Sequence, residues 1–192
     1  MKMFRAKNGQ RAFLTKGLAA MGYDIPASIG SAIASGRRVV CLTGDGSATM
    51  NMQELEVIAR LKLPIKVFIS DNNGYAMIYG SQSGNFNGRL AGCNKESGLT
   101  LPDMGKIAAA FGIRTIYLND EGELKAKVTE TLAGDEPTVC VAKTDITQKV
   151  LPKQANYMKD NGQMASRPLD DMAPLLPREE YEGLKNLQFI KP

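Results

Sequence analysis

Histidine and tryptophan are both missing from this 192-residue chain, and cysteine occurs only three times. Without histidine, Ser-His-Asp and Cys-His nucleophilic mechanisms fall away, together with most zinc sites. Cys41, Cys93 and Cys140 are far apart and form no CxxC pair, and Cys41 and Cys140 sit inside apolar runs that mark them as buried thiols. Nothing in that pattern calls for an oxidising compartment. The opening "MKMFRAKNGQRAF" lacks the apolar core of a signal peptide, and no apolar stretch approaches the length of a membrane span. The expectation is a cytoplasmic protein with no membrane partner. A basic stripe is also lacking: the net charge is +4, but lysines and arginines are scattered among acids, so no nucleic-acid partner is expected.

What the chain does have is an ordinary globular composition, 43% hydrophobic and 23% charged, with enough length for one domain and a substantial core. Short apolar runs at Arg38–Thr43, Ile65–Ser70, Ile113–Leu118 and Thr138–Lys143 read as buried strands. Between them lie helix-period segments at Pro26–Ser35, with Asp24 near a cap position, and at Asn51–Leu61, Asp103–Phe111 and Glu121–Ala133. Strands alternating with helices of this length predict a doubly wound α/β fold, a mostly parallel sheet with helices on both faces. From Asp145 the character changes. Prolines at 152, 168, 174, 177 and 192 punctuate an expected extended tail that wraps the domain or a partner, with a short helix at Arg178–Asn186. The expected organisation is a domain over 1–144 and a tail over 145–192.

Two polar knots close the first two apolar runs: Gly44-Asp45-Gly46-Ser47 and Asp71-Asn72-Asn73-Gly74. Each alone reads as a turn. Together they fall at the carboxyl ends of two predicted parallel strands, where α/β sheets bind ligands. Gly44 and Gly46 let the backbone approach a ligand closely, and bare N–H groups there can face phosphate oxygens, with the dipole of the following helix adding to them. The carboxylate of Asp45 and the amide oxygen of Asn72, with a backbone carbonyl, suit Mg²⁺. A nicotinamide-binding Rossmann domain fits poorly, since "GDGSAT" is not GxGxxG and no ribose-binding acid is evident downstream of it.

Gly44-Asp45-Gly46, followed after the 25 positions 47–71 by Asn72-Asn73, resembles the thiamine diphosphate motif GDG-x(24–27)-NN. "MGYDIPASIGSAIA", "NMQELEVIARLKLPIKVFISDNNGYAMI", "SGLTLPDMGKIAAAFGI" and "SRPLDDMAPLLPREE" are similar to segments of acetolactate synthase-like enzymes, so the likeness covers nearly the whole chain. The resemblance implies a diphosphate-binding (PP) domain that binds thiamine diphosphate and Mg²⁺. It implies metal ligation by Asp45, Asn72 and the main-chain carbonyl of Gly74. Gly44, Gly46 and Ser47 would hold the diphosphate, with Tyr75 next to it. Met21 would wedge between the cofactor's rings, and the backbone around Ala19 and Met21 would bond the aminopyrimidine. Gln53 and Glu54 are assigned to packing or helix surface.

By the same resemblance, the glutamate that activates the cofactor lies in a separate pyrimidine-binding (PYR) domain. No catalytic residue is therefore expected in this chain, and no FAD, since the middle domain that carries flavin in some members is not represented. Met1 falls almost on the first matching segment, so the first helix–strand unit of a PP domain is expected to be missing. Ile78 stands where pyruvate decarboxylases place a catalytic acid, which favours carboligation of a small 2-oxo acid. The implied partner is a PYR-bearing chain or a second copy, meeting an apolar patch around Met21, Ile25 and Met77. The alternative is a non-catalytic remnant or interaction module that keeps the fold.

Overall fold

The computed structural model describes residues 4–15, 17–149 and 151–186; Met1 and Pro192 lie outside them. Helix α1 (Asp24–Ser35) leads into strand β1 (Val39–Gly44), followed by α2 (Asp45–Met50), α3 (Glu54–Arg60) and β2 (Ile65–Asp71). Then come α4 (Ala76–Asn85), α5 (Met104–Ala110), β3 (Arg114–Leu118), α6 (Leu124–Leu132) and β4 (Thr138–Lys143). The four strands form one wholly parallel sheet in the order β1-β2-β4-β3. Among the described residues strand β1 pairs with β2 alone and forms one edge.

Registers explain the run-like apolar strands. Cys41, Val67 and Val139 share a row, as do Thr43, Ile69 and Val141, and this face packs against Ile25, Ile29 and Ala32 of α1, Leu55 and Ile58 of α3, and Met104 and Ala108 of α5. Side chains one position along point to the other face. There Ile116, Leu118 and Cys140 form a second cluster with Phe68 and Ala142, and α6 lies over β3 and β4. Helices therefore flank both faces. Each fully buried Ile or Leu in these clusters contributes roughly 1.5–3 kcal/mol. On β1 the second face stays open: Val40 and Leu42 are exposed.

Helix ends follow local chemistry. Asp103 caps α5, its Oδ1 accepting from the N–H groups of Gly105 and Lys106. Gly36 ends α1 at φ 61°, a left-handed conformation that glycine adopts without penalty. The helix expected over Asn51–Leu61 starts later, as α3 at Glu54 after a turn over Asn51–Gln53, and the first knot before it opens an additional helix, α2, that ends at Met50. The segment 121–133 opens as a 3-10 turn at Glu121–Glu123 before α6.

Beyond Thr147 the chain forms a second compact unit. Its extended segments pair as β5 (Lys153–Gln154) with β8 (Met172–Ala173) and β6 (Asn156–Met158) with β7 (Met164–Ser166), both antiparallel, and α7 (Arg178–Lys185) follows. Asp171, 4% exposed, accepts from both Arg167 and Arg178, and the Arg178 guanidinium stacks over the Tyr181 ring at 4.8 Å. No helix among the described residues is long and apolar enough to cross a membrane.

Candidate functional site

Parallel pairing brings the ends of β1 and β2 level, with Gly44 opposite Ser70. Asp45 leaves β1 as the first residue of α2 and is 3% exposed. Its Oδ1 accepts from Gly46 N–H at 2.8 Å, and its Oδ2 from Gly74 N–H at 3.2 Å, so the two knots are bonded to each other. Burial pushes the Asp45 carboxyl above its ordinary 3.8; the Gly46 N–H opposes this, Asp71 adds to it, and the N–H groups of Gly74 and Asn73 pull it down again. Asp71 itself is paired with Lys143 at 2.6 Å.

Asn73, at φ 54°, turns the chain back after β2. Just before it, the side-chain Oδ1 of Asn72 is buried and accepts no hydrogen bond. An orphaned buried acceptor costs about 1–3 kcal/mol unless something fills its place, and a cation does so well. Among the described residues no group of three or more His, Cys, Asp or Glu could hold a metal. With Asp71 taken up by Lys143 and Asn73 N–H, the knots offer the Asp45 carboxylate with neutral oxygens, the hard chemistry that suits Mg²⁺.

Two glycines are fixed by contact. A Cβ at Gly46 would run into the Tyr75 ring and lie 3.4 Å from Met21 Cε. Met21, Gly46 and Tyr75 therefore converge. A Cβ at Gly74 would meet the Cys93 carbonyl oxygen and Ile146. That same carbonyl accepts from Tyr75 N–H at 2.8 Å. The Cys93 turn is itself held by Ser97, whose Oγ accepts from the N–H groups of Cys93 and Asn94, both at 3.0 Å. Sequence reasoning missed this support, although Asn94 and Ser97 form a capping box at its start.

Ala19, at φ 49°, lies on the exposed loop that leads to Met21. Met21 is 44% exposed and Met77, on α4, 80%. Ile25 does not belong to the expected patch: it is 2% exposed, because α1 turns it onto β1 and the core rather than toward the site. Ile78 sits on α4 and is exposed, while Glu54 and Glu56 ride on α3, with Glu56 paired to Arg60. Ser47 departs from the simplest phosphate-binding picture. Its Oγ donates to Asp24 Oδ2 at 2.7 Å and accepts from Gly22 N–H at 2.9 Å. The single hydroxyl proton is thus already engaged.

A parallel sheet with paired polar turns at the carboxyl ends of adjacent strands is the α/β arrangement whose ligands bind at the strand ends. It belongs to the family described as thiamine pyrophosphate enzyme, C-terminal TPP binding domain, whose profile matches residues 1–142. Similar curated proteins include the acetolactate synthase large subunit of Cyanidium caldarium, 36% identical over 68% of this chain and 22% of its own length. The acetolactate synthase isozyme 1 large subunit of Escherichia coli K12 is 31% identical, over 76% of this chain and 26% of its own. The acetolactate synthase large subunit of Porphyra purpurea is 33% identical over 77% of this chain and 25% of its own length. The chain spans about a quarter of the length of these relatives.

Proposed function

We propose that this chain binds thiamine diphosphate with Mg²⁺ as the C-terminal, cofactor-holding portion of a cytoplasmic acetolactate synthase-like enzyme. The observation that carries the reading is the buried, unpartnered Oδ1 of Asn72 on the turn that Gly74 N–H bonds to the buried carboxylate of Asp45. Asp45, Asn72 and the carbonyl of Gly74 would hold the metal. Gly44, Gly46 and the main chain of Ser47 would hold the diphosphate, and the Ala19–Met21 loop the aminopyrimidine. When bound, the cofactor supplies the electron sink for decarboxylating a small 2-oxo acid and joining the remainder to a second carbonyl. The chain's own part is orientation: Met21 and Tyr75 meet at Gly46, and Asp45 would supply the charge that anchors the cation. The activating glutamate would come from a PYR-bearing partner chain or another protomer, and the exposed Met21 and Met77 suit such an interface. The likeness to acetolactate synthase large subunits over about three quarters of this chain supports that substrate class.

Calorimetric titration with thiamine diphosphate, with and without Mg²⁺, tests the reading. Metal-dependent binding that is lost in Asp45→Ala is expected, and equal affinity in the two proteins would overturn it. Acetolactate formation from pyruvate only when a PYR-domain chain is added would extend it to catalysis. Silence from every such mixture would leave a non-catalytic cofactor-binding module.

A further inference from the structure

Gly22 is gripped on both sides, by Ser47 at the end of the first knot and by Asn51 just past α2. Its N–H donates to Ser47 Oγ at 2.9 Å, and its carbonyl accepts from Asn51 Nδ2 at 2.7 Å. Its α-carbon leaves no room for a side chain, since a Cβ would lie 2.7 Å from Asn51 Nδ2 and 2.9 Å from Met50 Cβ, and its φ of 83° is left-handed. Ser47 is held in turn by Asp24, whose Oδ2 accepts from both Ser47 Oγ at 2.7 Å and Thr43 Oγ1 at 2.9 Å. Asp24, Thr43, Ser47 and Asn51 thus link the first turn of α1, the end of β1, and both ends of α2 to the loop that carries Met21.

We propose that Asp24, Ser47 and Asn51 are positioning residues: a hydrogen-bonded latch on Gly22 that sets the Ala19–Met21 loop against the Gly44–Ser47 turn and so fixes the distance between the ring-binding and diphosphate-binding parts of the site. This rests on the thiamine diphosphate reading above. Residues 17–21 are all exposed, so Gly22, which is buried, is the point where their placement is decided. Met21, next to the pinned Gly22, brings its Cε to 3.4 Å from where a Cβ on Gly46 would lie. The latch works by neutral geometry rather than charge. Both hydroxyls donate to one oxygen of Asp24, an arrangement that the amide oxygen of an asparagine can reproduce.

A latch of this kind separates two ligands. Thiamine diphosphate engages both parts of the site, whereas inorganic pyrophosphate with Mg²⁺ engages only the turns that hold the metal and the diphosphate. The experiment is calorimetry on the full chain with each ligand, at saturating Mg²⁺, for wild type, Asn51→Ala, Asp24→Ala and Asp24→Asn, below the melting temperature of each. Asn51→Ala and Asp24→Ala should weaken thiamine diphosphate by about tenfold or more while moving pyrophosphate less than about twofold. Asp24→Asn should bind both as wild type does. Amide hydrogen exchange at Gly22 should be slow in wild type and Asp24→Asn and fast in the two alanine variants. Equal losses for both ligands, loss of neither, or failure of Asp24→Asn would overturn the latch. A wild-type chain that binds pyrophosphate but not thiamine diphosphate would overturn it as well. A wild-type chain that binds neither ligand would instead overturn the thiamine diphosphate reading, and a fast-exchanging Gly22 amide in that protein would remove the latch too.

Discussion

The amide of Gly74 donates to Oδ2 of Asp45 across 3.2 Å and 29 residues of sequence, so the two strand-end turns behave as one piece. The α-hydrogen side of Gly74 faces the Cys93 carbonyl, which is backbone and cannot swing away. Gly74→Ala should therefore displace the loop and lose the bond to Asp45. The expected outcome is a destabilisation of about 1–3 kcal/mol by urea unfolding, together with weaker Mg²⁺-dependent binding of thiamine diphosphate. A melting curve and affinity equal to wild type would contradict this contact.

Gly46 and Tyr75 should be energetically coupled. Gly46→Ala pushes a methyl into the Tyr75 ring and should cost about 1–3 kcal/mol. In a Tyr75→Ala background the ring is gone, and most of that cost should vanish. A double-mutant cycle by chemical denaturation measures the coupling; additive losses would mean the ring does not lie over Gly46.

Lys66 is fully buried in β2, and its ammonium donates to the Ala133 carbonyl at 3.1 Å, the Glu136 carbonyl at 2.5 Å and Thr138 Oγ1 at 3.2 Å. It thereby ties the end of α6 to the start of β4. Lys66→Met keeps the aliphatic stem but takes the ammonium from the Ala133 carbonyl and leaves the Glu136 carbonyl with Thr138 Oγ1 alone, and should destabilise the domain by about 1–3 kcal/mol. Thermal unfolding followed by circular dichroism checks this, and Lys66→Arg is not expected to substitute, because its planar fork does not fit three acceptors gathered round one ammonium.

The second unit should be acid-sensitive through Asp171. The hydrogen bond from Arg178 leads in holding its carboxyl down at about 2, below the ordinary 3.8; burial opposes, and Arg167 reinforces the effect. A depressed carboxyl contributes stability that is whole above its unfolded value and is lost as pH falls through the folded one. The Tyr157 and Tyr181 resonances should therefore report loosening as pH falls from 3.8 toward 2, and Asp171→Asn should remove that dependence and loosen the unit at neutral pH.

Much of the parallel sheet was legible because its strands are covered on at least one face and read as apolar runs; Thr138–Lys143 matches β4 residue for residue. The knots were legible as a site because strand ends in such a sheet share an edge. Helix α2 was not, since Gly44-Asp45-Gly46-Ser47 is turn-like by local chemistry and becomes helical only when Asp45 is buried and bonded across to Gly74. Helix α4 escaped for another reason: "AMIYGSQSGN" buries none of its residues and so shows no apolar periodicity. Asp24 and Asn51 left no signature either, because their roles are side-chain hydrogen bonds that span 19 to 29 residues. Ser47 was read as a phosphate contact by position, and only its two partners reveal the latch.

Strand β4 is the last of its sheet in sequence yet lies between β2 and β3. During synthesis, β1 and β2 can pair as soon as residue 71 is free, while β3 has no neighbour to join until residue 143 has emerged. The final strand is thus the keystone of the domain's assembly, with long-range contacts that must wait for nearly the whole sheet-forming segment. A nascent chain stalled before Thr138 would carry both strand-end turns but only half the sheet beneath them.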